Sequence, residues 1–413
     1  MGPLEGIRVV DCSTVLAGPY CTMLLGDLGA DVVKIEPLEG DATRGWGPPW
    51  VGDEAAGTRT ATYYLAINRN KRSLRLDLRR DAGRDVLRGL LRDADVVVEN
   101  FRVGGFAALG FSDDVLAELN PALIHLAISG FGTTGPDAAK PGYDFVIQAV
   151  SGLMSITGEP DGRPLKVGVA ITDVVTGLFG AVSVLAGLLA RQARAGSRRA
   201  PRPGAGPAAA GQRIDVSLLQ STLAVLVNQA QSTLATGVGP GRLGNAHPSI
   251  VPYETFPTAD GSIAIGVGSE RQWARFCEVI ELPDLASNPR FVTNRARVAN
   301  RGELIRLLAA RLSERSTADW LAALDGAGIP AGQIRDLREA FDSAQAQAIG
   351  SRVRVDHPVL GSVDQVGSPI ELSATPVAIR RPPPLLGEHS REILAEAGYT
   401  KGSIDRLAQD GVI

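Results

Sequence analysis

The chain has 413 residues, of which 44% are apolar and 21% are charged, a balance typical of soluble globular proteins. A chain of this length exceeds one ordinary hydrophobic core, so we expect two domains. The net charge of −3 and the pI near 5.9 argue against a nucleic-acid-binding protein. Three scattered cysteines, with no recognisable secretory signal, predict a cytoplasmic protein without disulfides or a metal site.

The first 130 residues alternate short apolar strands with helices. Strands are predicted at 7–11, 32–35, 74–78, 96–98 and 123–128, and helices at 20–28, 81–92 and 113–119. This alternation predicts an α/β domain with a parallel sheet that is covered on both faces. Since ligands bind at the carboxyl ends of such strands, the candidate site loops are 12–19, 36–71, 99–105 and 129–142.

Residues 174–190 form an uncharged, largely apolar run between Asp173 and Arg191. The run is shorter than the roughly 20 apolar residues that a bilayer requires, so we expect a helix buried on all sides in a protein, with no membrane partner. Asp173 is predicted as its N-cap, where backbone N–H groups and the helix dipole favour the ionised carboxylate. Aspartate is a common cap, so this position alone assigns no chemistry.

The second half of the chain changes character. Residues 191–212 are rich in Arg, Pro and Ala and predict a flexible insertion with solvated arginines. Helices predicted at 218–234, 271–281, 301–315 and 318–326, with a strand at 263–267, indicate a smaller mixed α+β domain; strands at 353–355 and 363–366 and a helix at 390–398 follow. We therefore predict a large domain at 1–200 and 350–413, a linker with a connecting helix at 201–230, and a small domain at 231–349.

The turn Gly130–Gly135 matches the pattern G-x-G-x-x-G and follows a predicted strand. It continues into Pro136 and a polar loop instead of a helix, which argues against a dinucleotide site. The glycines instead predict a loop whose backbone approaches a phosphate-bearing ligand closely. The basic segment 68–72 has two equally good interpretations: a binding site for an anionic ligand, or a chance cluster of surface charges.

Six motifs occur in the order that family III CoA-transferases carry them: 15–19 (VLAGP), 26–36 (GDLGADVVKIE), 68–73 (NRNKRS), 98–101 (VENF), 130–136 (GFGTTGP) and 142–173. From about residue 3 to the C-terminus, apart from the insertion, the chain resembles this formyl-CoA and carnitine CoA-transferase (CaiB/BaiF) family. Residues 244–256 and 381–387 are most similar to the succinyl-CoA:glutarate branch.

The resemblance implies a Rossmann-like large domain and an interlocked homodimer that uses coenzyme A thioesters as substrates, with no permanently bound cofactor. It places Asp173 at the catalytic aspartate. It also implies CoA contacts at Leu16, Ala17, Lys71, Asn100, Phe101, Arg102, Ser129, Gly130, Phe131 and Gly132, and substrate or loop roles for Tyr143, Gly266, Gly268 and His247. The chain departs from the family pattern at Val267, which replaces a loop glycine, and at Ala108, which replaces a common arginine for which Arg102 is the candidate substitute.

Three functions are compatible with these residues. The preferred one is transfer of CoA from an acyl-CoA, with succinyl-CoA as the first candidate, to a carboxylic acid, with dicarboxylic acids preferred. The transfer would run through aspartyl anhydride and aspartyl-CoA thioester intermediates. The alternative is a 2-methylacyl-CoA racemase, whose relatives carry a histidine in place of Tyr143; a tyrosine with an ordinary pKa of about 10 is a poor base. The third is a non-catalytic CoA-binding protein. His247 is as compatible with a loop role as with substrate contact, and Arg44 and Trp46 are further pocket candidates.

Overall fold

The computed structural model describes residues 2–195 and 210–413, so most of the predicted insertion lies outside the described residues. The chain divides into a first unit (Met1–Ser151, Val167–Gln231 and Gln345–Ile413) and a second unit (Gly152–Lys166 and Ser232–Ala344). The sequence had assigned residues 152–166 to the large domain. They group with the second unit because the Gly244 amide donates to the Gly158 carbonyl at 3.0 Å and Arg242 donates to the Gly162 carbonyl at 2.7 Å.

The strands are, in chain order, β1 (Arg8–Cys12), β2 (Asp31–Glu36), β3 (Trp50–Val51), β4 (Thr60–Ala61), β5 (Lys71–Arg75), β6 (Val96–Glu99), β7 (Ile124–Ser129), β8 (Gln212–Ser217), β9 (Tyr253–Pro257), β10 (Ser262–Gly266), β11 (Ala331–Gln333), β12 (Arg352–His357) and β13 (Gly361–Val366). Six of them form a parallel sheet in the order β5-β2-β1-β6-β7-β8. In the second unit, β11-β10-β9 form an antiparallel sheet. β3–β4 and β12–β13 are two-stranded antiparallel pairs.

The α-helices are, in chain order, α1 (Ala17–Asp27), α2 (Thr62–Ile67), α3 (Asp81–Arg92), α4 (Gly105–Ala108), α5 (Asp113–Leu119), α6 (Asp144–Val150), α7 (Ile171–Ala195), α8 (Leu218–Val225), α9 (Val227–Thr236), α10 (Glu270–Val279), α11 (Asp284–Ser287), α12 (Asn294–Ala299), α13 (Arg301–Leu312), α14 (Thr317–Gly326), α15 (Leu337–Asp342), α16 (Ala344–Ala348), α17 (Ser390–Glu396) and α18 (Lys401–Gln409). Short 3-10 helices occupy Ala42–Gly45 and Leu153–Ile156.

Both faces of the parallel sheet are buried, which confirms the predicted α/β class. Val9 and Val96 belong to a core that includes residues of α1 and α7. Their neighbours Val10 and Val97 point to the opposite face, into a core that includes α3, α5 and the C-terminal helices. This alternation follows from the two-residue period of a strand. Cys12 and Cys21 are buried in these two cores as small apolar side chains, as expected.

The strand β5 begins three residues before the predicted one. Lys71 and Arg72 precede the predicted strand, and charged side chains of this kind are rarely buried. In the structure, Lys71 donates to Asp11 at 3.0 Å and Arg72 contacts Asp31 at 2.6 Å, so both charges have partners. The paired charges allow the strand to include both residues.

The helix α7 is not buried on all sides, which corrects the prediction for this segment. Leu178, Phe179, Val182 and Leu189 are 43%, 40%, 62% and 67% exposed in the single chain. The span Ile171–Ala193 is long and apolar enough to cross a membrane by length and composition, and one third of its most apolar window is buried. These side chains give α7 an exposed apolar face in the single chain.

A buried ion pair provides a stability test of the first unit. Asp27 is 1% exposed and receives hydrogen bonds from Arg69 at 2.6 Å and from Asn70 at 2.7 Å. Replacing Asp27 with Ala leaves the buried guanidinium unpaired, so we expect a loss of about 3–5 kcal/mol in the free energy of unfolding. Urea denaturation measures this loss.

The matched control is Asp405→Ala, which breaks a 2.7 Å pair with Arg391 between partly exposed side chains. Such a surface pair contributes about 0–1 kcal/mol. Equal losses in the two variants would contradict the expected role of burial.

Candidate active site

A cavity of about 220 Å³ lies at the carboxyl end of the parallel sheet in the first unit. Its walls come from the loops after β1, β6 and β7 and from the start of α7, which is where ligands bind in open parallel sheets. The lining residues are Thr14, Val15, Leu16, Ala17, Asn100, Phe101, Arg102, Val103, Ile128, Ser129, Gly130, Ala138, Ala139, Lys140, Pro141, Gly142, Tyr143, Asp173 and Leu218.

The structure brings most of the predicted site residues of the first unit together in this cavity. Those that line it are Leu16, Ala17, Asn100, Phe101, Arg102, Ser129, Gly130, Tyr143 and Asp173. Phe131 and Gly132 follow the lining segment but are not part of the wall. Gly266, Gly268 and His247 belong to the second unit, and their predicted substrate and loop roles stay predictions.

Lys71 does not reach the cavity, which corrects its prediction as a CoA contact. Its side chain is fully buried, and its ammonium donates to Asp11 at 3.0 Å, to the Pro19 carbonyl at 2.8 Å and to Asn68 at 2.9 Å. Three acceptors use all three donors of the ammonium group. Lys71 therefore connects β1 to the start of α1 through Asp11 and Pro19, and its ammonium group has no donor left for a ligand.

Asp173 lies in the first turn of α7, which corrects its prediction as the N-cap of this helix. The helix begins at Ile171, so Asp173 is its third residue. One buried donor of this helix end, the Thr172 amide, instead binds Asp144 at 2.9 Å, and the Thr172 hydroxyl donates to the same carboxylate at 2.8 Å. The other oxygen of Asp144 accepts from Gln148 at 2.7 Å. Asp144 is a site residue that the sequence analysis missed.

The environment of Asp173 disfavours its ionised form, contrary to the expectation for a cap. Burial, with the nearby charge of Asp144 as the second cause, raises the pKa of Asp173 to about 7. The carboxylate accepts no hydrogen bond from the part of the chain that the structure describes. Burial and the same two acids also raise the pKa of Tyr63 to about 12, which places a neutral hydroxyl in this electrostatic environment.

The glycine-rich turn supports one wall of the cavity through a backbone contact. A Cβ on Gly130 would lie 2.6 Å from the Cα of Gly142, closer than any real contact. The predicted close approach therefore exists, but within the chain it brings the turn against the loop that carries Tyr143. The Ser129 hydroxyl accepts from the Gly132 amide at 3.1 Å and fixes the turn.

Two cations line the cavity and suit an anionic ligand. Arg102 is exposed and forms no ion pair with any residue in the described ranges 2–195 and 210–413. Lys140 pairs with Asp137 at 2.6 Å, with both side chains largely exposed. Ala108, the last residue of α4, does not line the cavity.

The two further pocket candidates lie outside this cavity. Arg44 pairs with buried Glu36 at 2.7 Å and stacks on Tyr64, so its guanidinium is already engaged. Trp46 packs edge-on against Tyr63, with ring centroids 5.4 Å apart. Arg44 is therefore structural, whereas Trp46 contacts the tyrosine that faces the two acids.

The fold and this cavity agree with the result of comparison with protein families. Residues 4–390 match the family described as CoA-transferase family III. The chain belongs to CoA-transferase family III. As a member of this family, it is a transferase, and its resemblance to the succinyl-CoA:glutarate branch is confirmed by the relatives that follow.

The family III relatives cover nearly the whole chain. A succinate–glutarate CoA-transferase of Agrobacterium fabrum is 43% identical over 395 residues, which cover 95% of each chain. The succinyl-CoA:glutarate CoA-transferase of Homo sapiens is 40% identical and covers 100% of this chain and 90% of its own length. A CaiB/BaiF family protein from Brucella suis has a solved structure with a TM-score of 0.82, 41% identity, and coverage of 96% of this chain and 99% of its own.

The charge of Asp144 provides a test of the site electrostatics. Asp144→Asn retains hydrogen-bond acceptance from Thr172 but removes the second negative charge. That charge raises the pKa of Asp173. We therefore expect the pKa of Asp173 in the variant to fall below about 7, while burial keeps it above the ordinary value for aspartate. Carbon-13 NMR of labelled aspartate carboxyls measures the midpoint. Asp53→Asn, which removes an exposed carboxylate outside the cavity, is the control; an unchanged midpoint in Asp144→Asn would refute the assignment.

Proposed function

We propose that this enzyme transfers CoA from an acyl-CoA, with succinyl-CoA as the donor to test first, to a dicarboxylic acid. The observation that carries the proposal is a partly buried carboxylate, Asp173, which shares one cavity with Arg102 and Lys140. The cations suit the phosphates and carboxylates of the substrates. The names of the relatives support the substrate class, since two of them act with succinate or succinyl-CoA and glutarate.

The proposed reaction uses Asp173 as a covalent carrier. The carboxylate attacks the thioester carbonyl, the C–S bond breaks, and an aspartyl-acyl anhydride and CoA thiolate form. The thiolate then attacks the aspartyl carbonyl, which releases the donor acid and leaves an aspartyl-CoA thioester. The acceptor carboxylate attacks this thioester, which releases CoA thiolate and forms a second anhydride between Asp173 and the acceptor. The thiolate then attacks the acceptor acyl carbon of this anhydride, which gives the new acyl-CoA and free Asp173.

The environment of Asp173 suits this sequence of steps. A carboxylate without hydrogen-bond donors among the described residues keeps its electron pairs available for attack, and a pKa near 7 makes it more basic than an exposed aspartate. Since only the ionised form attacks, the rate of anhydride formation should rise with pH through about 7. Anhydrides also hydrolyse, so partial burial of the site protects the intermediates.

We further propose that the protein acts as an interlocked homodimer in the cytoplasm. The exposed apolar side chains of α7 support association, because their exposure to water is unfavourable. CoA thioesters enter as substrates, and the proposal includes no permanently bound cofactor.

The nucleophile is tested by replacement. Asp173→Ala should abolish CoA transfer to a panel of carboxylic acids, assayed with succinyl-CoA by mass spectrometry, while CoA still binds. Asp319→Ala is the matched control, because Asp319 is also the third residue of a helix, α14, and its variant should keep full turnover. Hydroxylamine added during turnover should modify Asp173 in the native protein. Transfer by the alanine variant, or an unmodified Asp173, contradicts the mechanism.

The dimer is tested at the exposed face of α7. Val182→Glu places a charge at a position that is 62% exposed in the single chain, so we expect the variant to sediment as a monomer where the native protein sediments as a dimer. Leu307→Glu in α13, at a position 42% exposed, is the control and should leave the dimer intact. A dimeric Val182→Glu protein rules out this face as the interface.

A further inference from the structure

The loop between β1 and α1 contains a residue in an unusual backbone conformation. Val15 has a φ of 71°, in the left-handed region, where a β-branched side chain clashes with its own backbone. Val15 and its neighbours Thr14, Leu16 and Ala17 line the cavity that holds Asp173. Such a conformation persists only where surrounding contacts impose it, and it relaxes when they are removed.

One restraint acts on the residue that begins the loop. The Ser13 amide donates to Asp11 at 3.0 Å, and the Ser13 carbonyl accepts from the buried ammonium of Lys34 at 2.9 Å. Asp11 is itself held by Lys71 at 3.0 Å and by the Thr22 hydroxyl at 2.6 Å. The loop therefore starts from a fixed point on a buried network of charges.

The second restraint comes from Asn100, which follows β6. Its side-chain oxygen accepts from the Thr14 amide at 2.9 Å, and its side-chain nitrogen donates to the Thr14 carbonyl at 2.8 Å. The second bond holds the peptide that joins Thr14 to Val15, and the rotation of the chain after this peptide is the φ of Val15. Asn100 is thus attached to the backbone directly before the strained residue.

We propose that Asn100 is a positioning residue, whose side chain holds the Thr14–Val15 peptide so that the left-handed loop keeps its place in the cavity wall. Its amide oxygen and its amide nitrogen each make one hydrogen bond to Thr14, and its effect on a ligand is transmitted through the backbone of Val15 and Leu16. This proposal rests on the proposed function, because the ligand whose binding it affects is CoA.

A double-mutant cycle separates this role from direct contact. Glycine adopts positive φ without strain, so Val15→Gly removes the need for the restraint. In the native background, Asn100→Ala should weaken the binding of CoA, measured by calorimetry, about tenfold, since releasing a residue of this strain has an effect of that order. In the Val15→Gly background, the same change should weaken binding less than about threefold, because the two positions are coupled.

Asn120→Ala is the matched control. The Asn120 side chain also holds backbone, donating to the carbonyls of Leu91 at 3.0 Å and Ala94 at 2.8 Å, but it does not line the cavity. This variant should lose stability and keep the native affinity for CoA. An equal loss of affinity in Asn120→Ala, or equal effects of Asn100→Ala in the two backgrounds, overturns the proposal.

Hydrogen exchange provides a readout that does not depend on CoA. The Thr14 amide, which donates to Asn100, should exchange faster in Asn100→Ala than in the native protein, whereas Asn120→Ala should leave it unchanged. If the native protein fails to bind CoA, the proposed function is wrong, and exchange alone decides on the positioning role. Unchanged exchange at Thr14 in Asn100→Ala refutes it.

Discussion

The ion pair between Asp11 and Lys71 connects the parallel sheet to the loops that form the site. The two residues lie on β1 and β5, and β2, which carries Lys34, lies between them. Burial alone would raise the pKa of Asp11, but the charges of Lys71 and Lys34 lower it to about 2. Removing one member of such a pair leaves an uncompensated buried charge, which costs about 3–5 kcal/mol. The loop after β1 therefore begins at a residue whose position is fixed by this buried ion pair, and breaking the pair would destabilise the fold.

The two aspartates near the start of α7 have opposite environments. Asp144 accepts hydrogen bonds from Thr172 and Gln148, which stabilise its charge. Asp173 is partly buried without such donors among the described residues, and it faces the charge of Asp144. Asp144 binds the Thr172 amide at the helix end, a role that the sequence analysis had given to Asp173. This division explains how an acid in the first turn of a helix can have a raised pKa despite the favourable helix dipole.

The strands β1, β2, β5, β6 and β7, most helices and the cavity loops were predictable because apolar periodicity and the direction of parallel strands determine them. The strand β8, which lies in the segment predicted as insertion and linker, was not, and three other features were also missed. The strand β5 includes Lys71 and Arg72, whose burial depends on partners distant in sequence. The cap of α7 comes from Asp144, 28 residues before Thr172. Asp144 lies within the motif at 142–173, but the sequence does not show its partner. Exposure of one face of α7 depends on what packs against the helix, which composition alone does not specify.

The helix α7 carries both a residue of the cavity and an exposed apolar face. Its first turn carries Asp173, and its middle carries Phe179 and Val182 on an exposed apolar face. An α-helix is stiff over this length, because each backbone hydrogen bond restrains the next turn. A partner that covers the exposed face would therefore also restrain the axis of α7, and with it the direction in which Asp173 enters the cavity. In the proposed dimer and mechanism, association of subunits and placement of Asp173 would therefore depend on the same helix.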